Sequence, residues 1–550
     1  MKARQRHIAL YIIIYICLLP LAGRAQQQNH NAAISTNLDL FNDIYKQLDL
    51  FYVDSLNADS VIEWGIHAML QRVDPFTDYF PESDEELREM STGKYAGIGS
   101  VITYHPKKQR AVISEPYEGT PSQKAGLLPG DVILTIDGKD IKGFPTVKAS
   151  SMLRGEAGTT VEIKVLRDKE ELTFAIARQV IQLPQVPWYG MLSDGKTGYI
   201  LLTGFTEGAC REVRQALESL RGEGASRLLL DLRGNPGGAV NEAVDIANLF
   251  LPKGKKVVYT RGKMKQLNRE YYTATEPVDS VMPLVVMVDG ASASASEIVS
   301  GTLQDFDRAV IMGNRTYGKG LVQSVRDVPN HGNLKLTTAR YYIPSGRCIQ
   351  AYDYRHLNAD GSAGMVPDSL TKVFHTAAGR EVRDGGGIKP DVEVMPDSLP
   401  SMVYMVADTE PFFDFVTHYC RTHESIPPVG QIQLSDEDYQ AFVDSMAEGG
   451  FEAQQPAQSL LSLLRDVVRR EGYLEVAQDE LDALEQKLKV DVRADLLRFR
   501  KDVEPYLLDE LACRYYFRRG CIQQQLIGDP CVERALQVLS NGEYKKILKK

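Results

Sequence analysis

Between residues 36 and 90 apolar positions recur at helical spacing, with Leu38, Phe41, Ile44, Tyr45 and Leu48 on one face. The run Asp74-Pro75-Phe76-Thr77-Asp78 breaks that pattern with turn-forming residues. Over 91–180 the texture changes to short β-branched runs punctuated by glycine, such as Val101-Ile102-Thr103, Ala111-Val112-Ile113 and Val161-Glu162-Ile163-Lys164-Val165. These predict a small, mostly β domain. Over 181–400 strand-like and helical stretches alternate. Leu228-Leu229-Leu230-Asp231-Leu232 leads through a glycine loop to a helix from about Asn241, and Leu284-Val285-Val286-Met287-Val288 leads to one from about Ser294. That repetition predicts an α/β core. Beyond 400 glycine thins out, and Leu460-Leu461, Leu463-Leu464 and Val467-Val468 typify a helical domain over 401–550.

A chain of 550 residues has room for three or four domains. With 43% hydrophobic and 25% charged residues it is neither disordered nor low-complexity. A net charge of −10 offers no basic footprint for nucleic acid. Residues 1–25 read as a secretory signal: Lys2, Arg4 and Arg6 precede the apolar run Ile8 to Leu21, and Gly23-Arg24-Ala25 supplies small residues before a cut at Gln26. A membrane anchor needs a longer apolar run. The expectation is an exported protein, periplasmic before secreted or membrane-associated. Cysteine spacings match no zinc pattern, and neither metal nor cofactor is expected. Cys513, Cys521 and Cys531 are close enough in sequence for a disulfide in an oxidising compartment, or are isolated small hydrophobes.

Chemistry is concentrated in Val288-Asp289-Gly290-Ala291-Ser292-Ala293-Ser294-Ala295-Ser296-Glu297-Ile298. A buried strand running through small residues into a helix start leaves free N–H groups able to hold an oxyanion. A serine there is either a nucleophile or a helix cap. It needs a base, and none of the nine histidines sits in an informative motif. Lys319, in Thr316-Tyr317-Gly318-Lys319-Gly320, is the other candidate, although a lysine is ordinarily a solvated surface group.

Taken jointly, these segments closely resemble the C-terminal processing (tail-specific) peptidases, the S41 serine proteases. Asp231-Leu232-Arg233-Gly234-Asn235-Pro236-Gly237-Gly238, Leu334 to Arg347 and Gly387-Ile388-Lys389-Pro390-Asp391 match as well, in collinear order over roughly 74–395. The resemblance implies a multidomain α+β protein: an α/β crotonase/ClpP-like core over 181–400, an inserted PDZ domain over 91–180, and helical regions over 36–90 and 401–550. It implies Ser294 as nucleophile, Lys319 as base and Gln323 as the residue orienting the lysine. The oxyanion hole would use the N–H of Ala295 with that of Gly238, or of Gly237. A lysine buried in an apolar cleft can lose its proton near neutral pH and serve as a general base.

The β domain is similar to bacterial PDZ domains through Tyr95-Ala96-Gly97-Ile98-Gly99, Gly126-Leu127-Leu128-Pro129-Gly130-Asp131 and Ile136-Asp137-Gly138. Such domains bind peptide C-termini by strand addition. The resemblance implies that Gly97, Ile98 and Gly99 hold the substrate carboxylate, with partners that are proteins or peptides bearing apolar C-termini. Arg154 and Arg167 are expected to be solvated, or else to help that loop. The helical C-terminal region is the expected site of self-association or of an adaptor. Two departures stand out: Cys348 where relatives carry serine, and an insertion over 351–384, neither expected to touch the catalytic positions. Two other readings are an inactive, peptide-binding member of the fold and a Ser–His hydrolase on the same core.

Overall fold

The computed structural model describes residues 30–81, 89, 92–395, 399–452 and 456–549. The signal sequence expected over residues 1–25 lies outside them. The chain divides into two compact bodies, one built from the N-terminal residues to Pro81 with Val325–Leu336, the other from the remainder.

In the first body, helix α1 (30–51) is followed by α2 (Ala58–Gln71), capped by Asn57, whose side chain accepts the N–H of Ser60 at 3.0 Å. The turn after α2 is fixed by Asp74, whose Oδ1 accepts from the backbone of Phe76 and Thr77 at 2.8 Å. Strand β1 (Asp78–Phe80) then pairs antiparallel with Asn333–Lys335. The helical expectation for 36–90 therefore omits one strand, whose partner lies some 250 positions further on.

In the second body the β domain runs β2 (Lys94–Gly97), β3 (Ser100–His105), β4 (Arg110–Pro116), α3 (Pro121–Ala125), β5 (Val132–Ile136), β6 (Lys139–Asp140), α4 (Thr146–Leu153), β7 (Thr160–Arg167), β8 (Glu170–Ala177) and β9 (Gln179–Gln182). Its main sheet has the order β3-β4-β5-β7-β8, so β3 is an edge strand, and β2 pairs separately with β9. Ile113, Ile133, Ile136, Val161, Ile163 and Val165 fill its core.

The protease-like core follows: β10 (Trp188–Met191), β11 (Thr197–Leu201), α5 (Ala209–Gly222), β12 (Arg227–Asp231), α6 (Val240–Asn248), β13 (Lys256–Gly262), β14 (Glu270–Tyr272), β15 (Leu284–Val288), α7 (Ala295–Asp305), β16 (Val310–Gly313), β17 (Leu321–Asp327), β18 (Asn333–Tyr342), the hairpins β19 (Tyr352–Leu357) with β20 (Ala363–Met365) and β21 (Val373–His375) with β22 (Glu381–Arg383), and β23 (Val392–Glu393). Its central sheet runs β10-β11-β12-β15-β16-β23, parallel except for β10. Alternate residues of one strand enter different clusters. Leu284, Val286 and Val288 pack with α5, α6 and α7, whereas Val285 and Met287 face the other way. Burial on both faces explains why this strand is apolar without interruption.

After Pro400 come α8 (Ser401–Val406), α9 (Glu410–Thr422), α10 (Asp436–Glu448), α11 (Pro456–Arg470), α12 (Leu474–Lys487), α13 (Val492–Arg498), α14 (Arg500–Gln525), α15 (Pro530–Ser540) and α16 (Glu543–Ile547). They do not share one core. Phe412, Phe415, Phe442, Leu507 and Leu511 form a helical cluster of their own. Ile522, Val532, Ala535, Val538 and Leu548 instead cover the second face of the central sheet, against Tyr199, Leu229, Val285 and Met312. The last helices thus complete the core, a role invisible in a pattern that reports only an amphipathic face. None of the described helices is long and apolar enough to cross a membrane.

Candidate active site

β15 leads directly into Asp289, whose carboxylate accepts from Ala291 and Ser292 N–H (3.0 Å each) and from Gly234 N–H (3.0 Å). The three serines that follow are not equivalent. Ser292 and Ser296 are fully buried, while Ser294 between them is half-exposed. Ser292 Oγ donates to Leu232 O (2.8 Å), and Ser296 Oγ to Asn235 O (2.9 Å). Both therefore tie the elbow to the segment after β12, and Ser292 Oγ also accepts Asp289 N–H locally at 2.9 Å. Ser294 sits at φ 55°, ψ −110°, a strained conformation for a residue with a side chain, at a sharp strand-to-helix turn.

The glycine loop lies directly on this elbow. Asn235, fully buried, donates to Leu202 O (2.7 Å) and accepts Gly237 N–H at Oδ1 (2.9 Å), while its carbonyl accepts Ala293 N–H (3.0 Å). Gly237 has φ 101°, and a Cβ there would stand 2.8 Å from both Ser294 Cβ and Ala295 N. Only glycine permits that approach. Ala295 opens α7, so its N–H has no intrahelical acceptor. Gly237 N–H is committed to Asn235, whereas Gly238 N–H has no acceptor among the described residues. Arg233, in the same loop, bridges Asp231 and Asp529, each at 2.7 Å, so the cap of α15 reaches the loop.

Lys319 is half-exposed, in the loop between β16 and β17. Two buried side chains join that loop to the elbow. Glu297 Oε2 accepts Ser294 N–H (2.8 Å) and Lys319 N–H (2.9 Å), while Oε1 accepts Thr316 Oγ1–H (2.5 Å) and Gly318 N–H (2.8 Å). Burial nevertheless outweighs these donors and pushes the Glu297 carboxyl up to about 7. Tyr341, on β18, places its hydroxyl 3.1 Å from Ser294 O and 2.7 Å from Lys319 O. Burial raises its phenol well above the ordinary value. Gln323, on β17, donates from Nε2 to Thr337 Oγ1 (3.1 Å). Glu297 and Tyr341 were not singled out from the sequence. The carboxylate three positions into a helix, in Ser-Ala-Ser-Glu, was the one available signal, since it fits a capping pattern.

The insertion over 351–384 opens against the loop that carries Lys319. Ala351 N–H donates to Gly318 O (2.9 Å), and a Cβ on Gly318 would lie 2.3 Å from Ala351 Cβ. Gln350, just before the insertion, accepts Gly320 N–H at Oε1 (2.8 Å), so both glycines flanking Lys319 are held by residues 350 and 351. Sequence order separates these residues by some thirty positions, and only the folded loop brings them together.

In the β domain, Ile98 O accepts Ser122 N–H (2.9 Å), and Gly99 O accepts Tyr117 N–H (3.0 Å) and Ser122 Oγ–H (2.7 Å). A trans peptide points its N–H opposite its C=O, so Gly99 and Ser100 turn their N–H groups away from these partners. Gly99 has φ 79°, and a Cβ there would meet Thr120 Cβ at 2.5 Å. Gly97 belongs to β2, beside the Arg154 side chain. Arg154 stacks over Tyr95, 4.7 Å from the ring centre, and pairs with Glu89 at 2.5 Å. Arg167 is elsewhere: it holds the fully buried Asp131 at 2.6 Å and bonds Gly126 O, a structural role.

Residues 196–368 match Peptidase family S41, residues 96–177 match the PDZ domain, and residues 402–539 match the C-terminal helical domain of probable PDZ-proteases. The chain is 36% identical over 318 residues to a carboxy-terminal-processing protease of Bartonella bacilliformis, covering 56% of this chain and 72% of that one. It is also 36% identical over 316 residues to a carboxyl-terminal-processing protease of Synechocystis sp., covering 56% and 70%. A solved photosystem II D1 C-terminal processing protease is 28% identical, with TM-score 0.35, covering 66% of this chain and 94% of that one. An α/β core of the S41 class carrying a PDZ domain defines a serine endopeptidase. Within that class, the chain belongs to the carboxy-terminal-processing proteases.

Proposed function

We propose that this protein is an exported, periplasmic endopeptidase that captures substrate C-termini at its PDZ domain and cleaves with a Ser294–Lys319 centre. The observation that carries the catalytic reading is the double tie between elbow and loop: the Glu297 carboxylate on both N–H groups, and the Tyr341 hydroxyl on both carbonyls.

In this mechanism the neutral Lys319 amine takes the Ser294 hydroxyl proton as Oγ attacks the scissile carbonyl carbon. The oxyanion that forms is held by the N–H groups of Ala295 and Gly238, each worth about 3 kcal/mol of barrier. The Lys319 ammonium returns its proton to the departing amine, leaving an acyl ester on Ser294. Water attacks the ester with Lys319 again as base, releasing acid and free serine. Gln323, with Nε2 on Thr337, offers its amide oxygen to the amine and orients it. At the PDZ domain the loop Gly97-Ile98-Gly99 receives the terminal carboxylate, with Arg154 beside it, and the edge strand β3 pairs with the substrate tail. The helical C-terminal region is the surface for self-association or an adaptor.

The test is digestion of unfolded proteins differing only at their last residues, by wild-type, Ser294→Ala, Lys319→Ala and Lys319→Arg proteins of verified fold. All three variants should be inactive, because arginine keeps its proton and cannot act as base. Substantial cleavage by Lys319→Arg eliminates the lysine-base mechanism.

A further inference from the structure

Helix α14 is not straight. Phe517 lies within it at φ 58°, ψ −170°, far from helical values. In an unbroken helix, residues eight apart are separated by about 12 Å along the axis. Here the chain doubles back: a Cβ on Gly520 would stand 2.8 Å from the carbonyl oxygen of Ala512 and 2.3 Å from Tyr516 Cβ. The next residue along from each, Cys513 and Cys521, is thereby brought close to the other, and each thiol shifts the other's proton affinity. Both line a cavity of about 940 Å³ between the PDZ and helical domains. The PDZ domain rests on this reversal, with Glu118 3.0 Å from Arg519 and Glu115 facing Arg518.

We propose that Cys513 and Cys521 are a redox site, which a disulfide oxidant of the glutathione class converts to an intrachain disulfide fastening the reversal at Phe517. The Cys521 thiolate attacks one sulfur of the oxidant, forming a mixed disulfide and expelling one thiolate. Cys513, having lost its proton, then attacks Cys521 Sγ and expels the second. Two protein thiols lose two protons and two electrons, and the oxidant's disulfide becomes two thiols. The roles follow from the local chemistry. The neighbouring Cys513 holds the Cys521 thiol below the ordinary range, with Arg518 adding its attraction, and the same interaction raises Cys513. The other thiols are poorer targets: burial pushes Cys531 up to about 12, Cys210 to about 12 and Cys420 to about 11. Cys531, ten positions beyond Cys521, belongs to the cluster on the central sheet.

Full-length reduced protein is treated with oxidised glutathione, alkylated and digested with trypsin without reduction. Cleavage after Arg514, Arg518 and Arg519 separates the two cysteines, so a disulfide joins peptide 502–514 to peptide 520–534. The expected result is that joined peptide as the main product, lost on adding dithiothreitol, with fragmentation placing the bond at Cys521 and not Cys531. Oxidation should raise the melting temperature by a few degrees, in wild type and Cys531→Ser but not in Cys513→Ser or Cys521→Ser. Free, alkylated Cys513 and Cys521 after oxidation overturn the proposal. So does glutathione retained on Cys521, or linkage to Cys531. The wild-type digest decides between these outcomes even if a variant fails to fold.

Discussion

Glu297 Oε2 accepts the backbone N–H of Lys319 at 2.9 Å, so a side chain from the first turn of α7 holds the loop that presents the lysine. The same oxygen accepts Ser294 N–H. An anion buried here is costly, and the group's raised affinity for a proton expresses that cost.

The sign of the pH effect follows from that raised value. A carboxyl near 4.5 in the unfolded chain and about 7 in the fold binds its proton more tightly when folded. Its stabilising contribution is complete below the unfolded value and is lost as pH rises through about 7. Relative to Glu297→Gln, which does not titrate, wild type should lose on the order of 3 kcal/mol between pH 4.5 and pH 8. Urea unfolding of both proteins across that range measures it, and parallel stability curves would contradict the burial argument. Activity of Glu297→Gln should fall roughly a hundredfold, because an amide cannot accept all four donors.

Gly237→Ala should lower kcat by roughly 10²–10³ while leaving KM nearly unchanged. The added methyl must enter space 2.8 Å from Ser294 Cβ, at a φ that alanine rarely adopts. Single-turnover kinetics report the chemical step, and wild-type kcat in this variant would mean the glycine loop does not serve the oxyanion.

Ser292→Ala and Ser296→Ala should each cost about 1–3 kcal/mol of stability, because each removes a buried donor from a backbone carbonyl. Proteolysis should persist in both under conditions where they remain folded. Denaturant midpoints and residual activity separate these losses from that of Ser294→Ala. Equal inactivation of all three variants in folded form would mean that Ser294 has no special role.

A substrate ending in Ala, Val or Leu should outcompete one ending in Asp or Lys, and amidation of the terminus should weaken capture by roughly tenfold or more. In the proposed function the N–H groups of the Gly97-Ile98-Gly99 loop hold a negative charge, which amidation removes. Initial rates at low substrate concentration measure the effect. Equal cleavage of free-acid and amidated forms removes tail recognition from the proposed function.

By itself the sequence determined the strands and helices whose apolar patterns are long and unambiguous. Leu284–Val288 had to be buried on both faces, and the helix after it had to begin near Ser294, because the small residues between leave no alternative packing. The segments 284–320 and 231–238 also marked out Ser294, Lys319 and the glycine loop, since those residues are contiguous or nearly so. Tertiary structure decided what depends on distant partners. Strand β1 exists because residues 333–335 lie beside it. Ser292 and Ser296 are tied to Leu232 and Asn235, sixty-odd positions away, contacts that a local reading does not reach. Ala351 landed against Gly318, and residues 522–548 moved from a separate helical domain onto the central sheet. Periodicity reports that a face is apolar, but the face it meets is chosen by packing across the whole chain.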